Sequence, residues 1–211
     1  MEILEVIILG IIQGVTEFLP VSSSGHLVIA QYLLGINSPG NTLEILFHFG
    51  TLLSVVFVFF NEIKLILMSL HERNTQILIV YLIIATIPAV FVGIGLKDYI
   101  LGIFDSVEFV SLALIFTGSV LILSSKFKHS QKKHSFFSSL AIGLAQALAI
   151  IPGISRSGLT ISMSIFLGIA PKEAAKFSFL LSIPIILGAS LLGVFELESD
   201  GMIDFLTVFV A

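Results

Sequence analysis

Two stretches of this sequence carry the side chains that could do chemistry. The first is Gln13-x-x-x-Glu17, followed by Pro20-Val21-Ser22-Ser23-Ser24-Gly25-His26. Gln13 and Glu17 stand at i and i+4, so a helix puts them on one face. Ser22, Ser23 and Ser24 bring hydroxyl donors, and Gly25 lets the backbone approach a ligand closely. His26 can give or take a proton near neutral pH. The second stretch is Pro152-Gly153-Ile154-Ser155-Arg156-Ser157-Gly158, with Thr160 following. The Arg156 guanidinium is a planar fork suited to phosphate oxygens. A hydroxyl nucleophile, an acid/base pair and a cationic clamp are what phosphoester hydrolysis needs. The same residues have plainer readings. Ser and Gly are common on helix packing faces in membranes, and Glu17 with Arg156 could form a structural ion pair. Glu44 and His48 are another i, i+4 pair, placed either in the pocket or at the membrane interface.

The elements that hold these residues are membrane elements. Of 211 residues, 56% are hydrophobic and 11% charged, and mean hydropathy is +1.12. Soluble domains carry about 25% charged residues. There is no cysteine, so disulfide and thiolate chemistry are excluded. A net charge of −4 gives no sign of nucleic-acid binding. The N-terminus lacks the basic region of a secretory signal, and residues 1–20 read as part of the mature chain. A spanning helix needs about 20 apolar residues. Residues 43–68, 76–96, 107–125 and 174–195 approach that, and a further apolar piece starts near Ile203.

Residues 3–19 and 27–35 are shorter apolar arms flanking the first polar stretch, and 136–151 and 159–169 flank the second. Irregular backbone at membrane depth must be buried in protein or line a cavity. Both regions therefore read as re-entrant helix–loop–helix hairpins. That topology gathers Lys64, Arg73, Lys126, Lys128, Lys132, Lys133, Lys172 and Lys176 on one side, and Lys97 with most of the acids on the other. The positive-inside rule makes the first side, with loop 126–134, cytoplasmic. A shift of 133 residues superimposes the two motifs: Gly10 on Gly143, Gln13 on Gln146, Ser22 on Ser155, Ser24 on Ser157 and Gly25 on Gly158. Ile150 takes the place of Glu17. The expected fold is an all-α polytopic membrane bundle, one domain over 1–211. Its inverted-topology halves are about 1–125 and 136–211, with the two tips meeting near the membrane centre.

The run Gln13 to His26 closely resembles the first signature of the undecaprenyl-diphosphate phosphatase family, the bacitracin-resistance proteins. Pro152 to Thr160 resembles the second, and Phe177-Ser178-Phe179-Leu180-Leu181-Ser182-Ile183-Pro184 is also similar to the family. The resemblance implies hydrolysis of undecaprenyl diphosphate to the monophosphate and inorganic phosphate. That reaction recycles the lipid carrier for peptidoglycan and underlies bacitracin resistance. The resemblance also implies a multi-pass plasma-membrane protein of six spans and two re-entrant hairpins, a divalent cation (Mg²⁺ or Ca²⁺) and homodimers. By position, Gln13 and Glu17 match the family's acidic pair, with Glu17 as base or, with Gln13, metal contact. Ser23 matches a serine proposed as nucleophile or phosphate ligand, His26 the motif histidine, and Arg156 the phosphate-binding arginine. Ser22, Ser24, Gly25, Ser155, Ser157, Gly158 and Thr160 complete the expected substrate contacts. Two departures stand out. Gln13 is not a carboxylate, and the chain stops before the family's usual end, without most of the fifth and all of the sixth span. The rival class is a polyprenyl-phosphate flippase or transporter using the same midplane phosphate site.

Overall fold

The computed structural model of the chain describes residues 3–36, 42–96, 102, 106–127 and 131–199, and the side chains of all of these except 42–45 and 194–199. The apolar piece from Ile203 lies outside them. The described residues form nine helices and no strand: α1 Ile3–Phe18, α2 Ser23–Leu34, α3 Thr42–Val58, α4 Phe60–Met68, α5 Arg73–Gly95, α6 Val107–Ser125, α7 Phe136–Leu148, α8 Arg156–Phe166 and α9 Pro171–Ser199. α5, α6 and α9 are long and apolar enough to cross a membrane. Pro88 and Pro184 lie inside α5 and α9, as membrane helices tolerate when neighbours satisfy the freed carbonyls.

The expected span over 43–68 is not one straight helix: the pair passes as a span by length and composition only when taken together across a bend. α3 and α4 are bent by 67° at Phe59. Asn61, Glu62 and Lys64 follow the bend. α4 buries no residue. The two polar stretches are also less irregular than expected. Ser23–His26 already form the first turn of α2, and Arg156–Gly158 the first turn of α8.

Among the described residues the interior mixes polar with apolar side chains, while large apolar side chains cover the outside. α1 exposes Ile3, Leu4, Ile7, Ile11 and Val15 while burying Gln13, Thr16 and Glu17. α8 buries Ser157, Thr160, Ser162 and Ser164. Small polar residues let membrane helices approach and bond across the contact. A Cβ on Gly143 would stand 2.8 Å from the Ala85 carbonyl oxygen, so this glycine sets how closely α7 packs on α5. Two apolar clusters anchor the bundle. Leu9, Leu27 and Phe47 join α1, α2 and α3. Ala85, Ile142, Phe177 and Leu181 join α5, α7 and α9. Leu9 and Ile142, both fully buried, are related by the 133-residue shift.

Candidate active site

The breaks before α2 and α8 are built alike. Ser22 caps α2, its Oγ accepting from the Gly25 N–H at 3.4 Å. Ser155 caps α8, its Oγ accepting from the Gly158 N–H at 3.0 Å. Such caps satisfy backbone donors that a helix start leaves open. The Ser22 and Ser24 hydroxyls lie 3.3 Å apart, as do those of Ser155 and Ser157. Ser22 holds φ +70°, a strained conformation for a side-chain-bearing residue.

The breaks touch each other. A Cβ on Gly25 would stand 2.9 Å from the Gly153 Cα, and one on Gly158 would stand 2.9 Å from the Pro20 carbonyl oxygen. Pro20 and Gly153 are themselves 133 positions apart, so the two contacts are equivalent. Gly25 and Gly158 are therefore packing residues, and neither lines the cavity beside them. α6 braces the second break: Thr117 Oγ1 donates to the Gly153 carbonyl at 3.0 Å and accepts from the Ser155 N–H at 3.1 Å. Gly153 sits at φ +88°, and a Cβ there would come within 2.5 Å of the Val110 carbonyl oxygen.

Against these breaks lies a cavity of about 250 Å³, lined by polar residues of both stretches and by α3, α5, α7 and α9. Glu17 is its centre. Its Oε1 accepts from Arg156 Nη2 at 2.6 Å. Its Oε2 accepts from Gln13 Nε2 at 3.1 Å and from Ser23 Oγ at 2.5 Å. His48 Nε2 stands 3.7 Å from the same Oε2. Both ends of the Glu17–Arg156 pair are largely buried, with side-chain exposures of 8% and 16%. A buried ion is stable only when paired and hydrogen-bonded.

Of the residues singled out from sequence, Glu17, Ser22, Ser23, Ser24, Ser155, Arg156 and Ser157 line the cavity. Gln13 stands behind Glu17. Thr160 turns its hydroxyl to the Arg156 carbonyl and to Ser178 Oγ, 2.7 Å away. His26 is also off the cavity wall. Its Nδ1 donates to the Ser22 carbonyl at 2.7 Å, a bond within reach of any histidine one helical turn after a cap. The histidine on the wall is His48; the side chain of Glu44 is outside those described. Thr117 escaped the sequence reading, since it sits in mid-span with no motif around it. Gln146, noted only as the counterpart of Gln13, lines the cavity as well.

Among the described side chains, the donor set falls short of a resident Mg²⁺ or Ca²⁺ site. Among the described residues no group of three or more His, Asp or Glu converges. Glu17 is the one carboxylate on the described wall, and both its oxygens already accept from donors. Gln13 Oε1, buried without a partner, adds a single neutral oxygen. Mg²⁺ asks for octahedral and Ca²⁺ for six or more oxygen ligands.

The cavity thus brings an arginine fork, a carboxylate and five serine hydroxyls into one partly open space. Comparison with known proteins gives the family. The family described as bacitracin resistance protein BacA matches residues 6–211. An undecaprenyl-diphosphatase of Halothermothrix orenii is 43% identical over 205 residues, covering 96% of this chain and 78% of the relative. One from Syntrophotalea carbinolica is 42% identical, covering 93% and 78%. Undecaprenyl-diphosphatase 3 of Bacillus anthracis is 41% identical, covering 99% and 80%. The chain thus belongs to the BacA family of bacitracin resistance proteins, membrane proteins built of helices.

Proposed function

We propose that this chain hydrolyses undecaprenyl diphosphate to undecaprenyl phosphate and inorganic phosphate, and so returns a lipid carrier to peptidoglycan synthesis. The observation that carries the reading is the Arg156–Glu17–Ser23 chain of hydrogen bonds, 2.6 and 2.5 Å long, across the two breaks. Arg156 would exchange Glu17 for oxygens of the terminal phosphate, a trade between two acceptors of like charge. Ser23 Oγ, or a water in its place, would then attack phosphorus, with its proton passing to Glu17. Ser22, Ser24, Ser155 and Ser157 would donate to the remaining phosphate oxygens. His26 would hold the first tip in shape through the Ser22 carbonyl. A divalent cation, given the donor set, would arrive with the diphosphate; equal phosphate release with and without a chelator would remove it.

The finer fold belongs to the same proposal. The matching caps, serine pairs and glycine contacts support an inverted repeat whose halves each supply one re-entrant hairpin. Loop 126–134 would face the cytoplasm of a plasma-membrane protein, and the chain would pair as a homodimer. Cysteines introduced singly at Lys132 and Lys172 into this cysteine-free chain should react with thiol reagents from one side only, and one at Ser106 from the other. Opposite accessibility of Lys132→Cys and Lys172→Cys would make the second hairpin a full crossing.

The relatives' names support hydrolysis and give no support to the flippase alternative. The direct test is phosphate release from polyprenyl diphosphate in detergent, where transport has no meaning. Release that survives Arg156→Ala in a folded preparation would remove the clamp from the scheme.

A further inference from the structure

A serine or threonine inside a helix ordinarily bonds back to a carbonyl one turn earlier. Four of the five hydroxyls on α6 do so: Ser111 to Val107, Ser119 to Ile115, Ser124 to Leu121 and Ser125 to Ile122. Thr117 reaches outward instead. Its Oγ1 donates to the Gly153 carbonyl and accepts from the Ser155 N–H, so it grips the backbone on either side of Ile154. A hydroxyl has one proton to give and lone pairs to receive with, and this one uses both on the second break.

The grip comes from behind the cavity. Ile154, Ser155, Arg156 and Ser157 line that space, and Thr117 is not among the lining residues. Thr117 and Ser155 are 1% and 2% exposed, so bulk solvent does not stand in for the hydroxyl. What the bridge fixes is the start of α8, where Ser155 is the cap and Arg156 the first residue. From that start the Arg156 side chain crosses to Glu17 at 2.6 Å. The first break carries no arginine. Among the described residues no side chain bonds its matching groups, the Pro20 carbonyl and the Ser22 N–H. The brace thus belongs to the break that holds the cation. We propose that Thr117 is a positioning residue of the phosphate clamp: its hydroxyl sets the backbone from which Ser155 and Arg156 reach the phosphate.

The inference rests on the hydrolase reading, with Arg156 as phosphate ligand, and deepens it. Without the hydroxyl, a buried carbonyl and a buried N–H lose their partner, which is costly. The break then shifts to satisfy them, and the guanidinium shifts with it. A misplacement of about 1 Å, caused away from the chemistry, can cost about 10²-fold in rate.

The plain alternative is that the hydroxyl only holds α6 to the break. In that case its loss lowers the folded fraction and leaves the surviving sites with unchanged binding constants. Two variants separate the roles: Thr117→Val keeps the shape and loses the hydroxyl, and Thr117→Ser keeps the hydroxyl. Lipid monophosphate formed from polyprenyl diphosphate in detergent is followed, with kcat and KM determined apart. The inhibition constant of inorganic phosphate reports on the clamp, and the thermal midpoint reports on folding. Thr117→Val should lower kcat/KM about 10²-fold and raise both KM and the phosphate inhibition constant. Thr117→Ser should stay close to wild type in all three. Wild-type KM and phosphate inhibition in Thr117→Val, or equal losses in the two variants, overturn the proposal. If Thr117→Val does not fold, Thr117→Ala is held to the same criterion. A wild type that forms no monophosphate overturns the hydrolase reading and this one with it; an active wild type with Thr117→Val unaffected overturns this one alone.

Discussion

Removing Arg156 has two separable consequences, one for stability and one for catalysis. Its guanidinium lies 2.6 Å from Glu17 Oε1, and both side chains are largely withdrawn from solvent. Arg156→Ala leaves a buried carboxylate bonded only to the neutral donors Gln13 and Ser23, with His48 Nε2 3.7 Å away. Breaking a buried pair from one side costs about 3–5 kcal/mol. Glu17→Gln breaks it from the other side and leaves the arginine unpaired. The double variant Glu17→Gln/Arg156→Met buries no ion at all, so its cost should fall short of the summed single costs by about 2–3 kcal/mol, the upper end of measured couplings. Activity should behave differently. Losing an arginine contact to a transferring phosphoryl group costs about 10³–10⁵ in kcat, and the double variant should stay as inactive as either single one. The assay is a double-mutant cycle on reversible unfolding in detergent, run beside phosphate release. Strictly additive stabilities would refute the buried-pair reasoning. A stable double variant with restored turnover would refute the catalytic assignment.

Other outcomes follow from the same geometry. Gly25→Ala puts a Cβ 2.9 Å from Gly153 and from Leu114; it should destabilise by about 1–3 kcal/mol, readable as a lowered thermal midpoint, and an unshifted midpoint would mean the breaks do not touch. Ser23→Ala removes the hydroxyl bonded to Glu17 Oε2 and should reduce phosphate release far more than Thr160→Ala, whose hydroxyl serves Ser178; equal effects would contradict the cavity assignment. His48→Ala should impair turnover more than His26→Ala, since only His48 reaches the cavity, and the reverse order would restore His26 as the proton carrier. His134, in the segment before α7, stacks on Phe177 with ring centroids 4.0 Å apart. Burial pushes its pKa below the ordinary 6.5, with Glu173 opposing. A depressed histidine stabilises the fold fully above its unfolded pKa, and that contribution is lost as pH falls below about 6.5. His134→Phe should flatten the acid side of the stability profile; an unchanged slope would assign it to other groups.

How much of this was legible in the sequence depends on the range of the interaction. Gln13 to Glu17 is an i, i+4 relation, and spacing alone finds it. The serine caps are equally local, since Ser22 and Ser155 each stand three residues before a glycine. The 133-residue shift also identified Gly25 and Gly158 as equivalent, though not that each packs on the opposite break. Arg156 meets Glu17 across 139 positions, and no local pattern encodes that approach. His26 looked catalytic because it follows the serines, yet the same helical spacing turns its ring to the Ser22 carbonyl. His48, on a different helix, reaches the carboxylate through the packing of α1 on α3. The bend at Phe59 has no signal in the length or hydropathy of its apolar run.

The central claim is that the two breaks form one hydrolytic site around Arg156 and Glu17. It is tested most directly by incubating the purified chain with polyprenyl diphosphate in detergent and following both products. The account predicts one inorganic phosphate and one lipid monophosphate per substrate, with release abolished by Arg156→Ala and by Glu17→Ala in folded protein. Binding of the lipid without release, or release that persists in either variant, would contradict it.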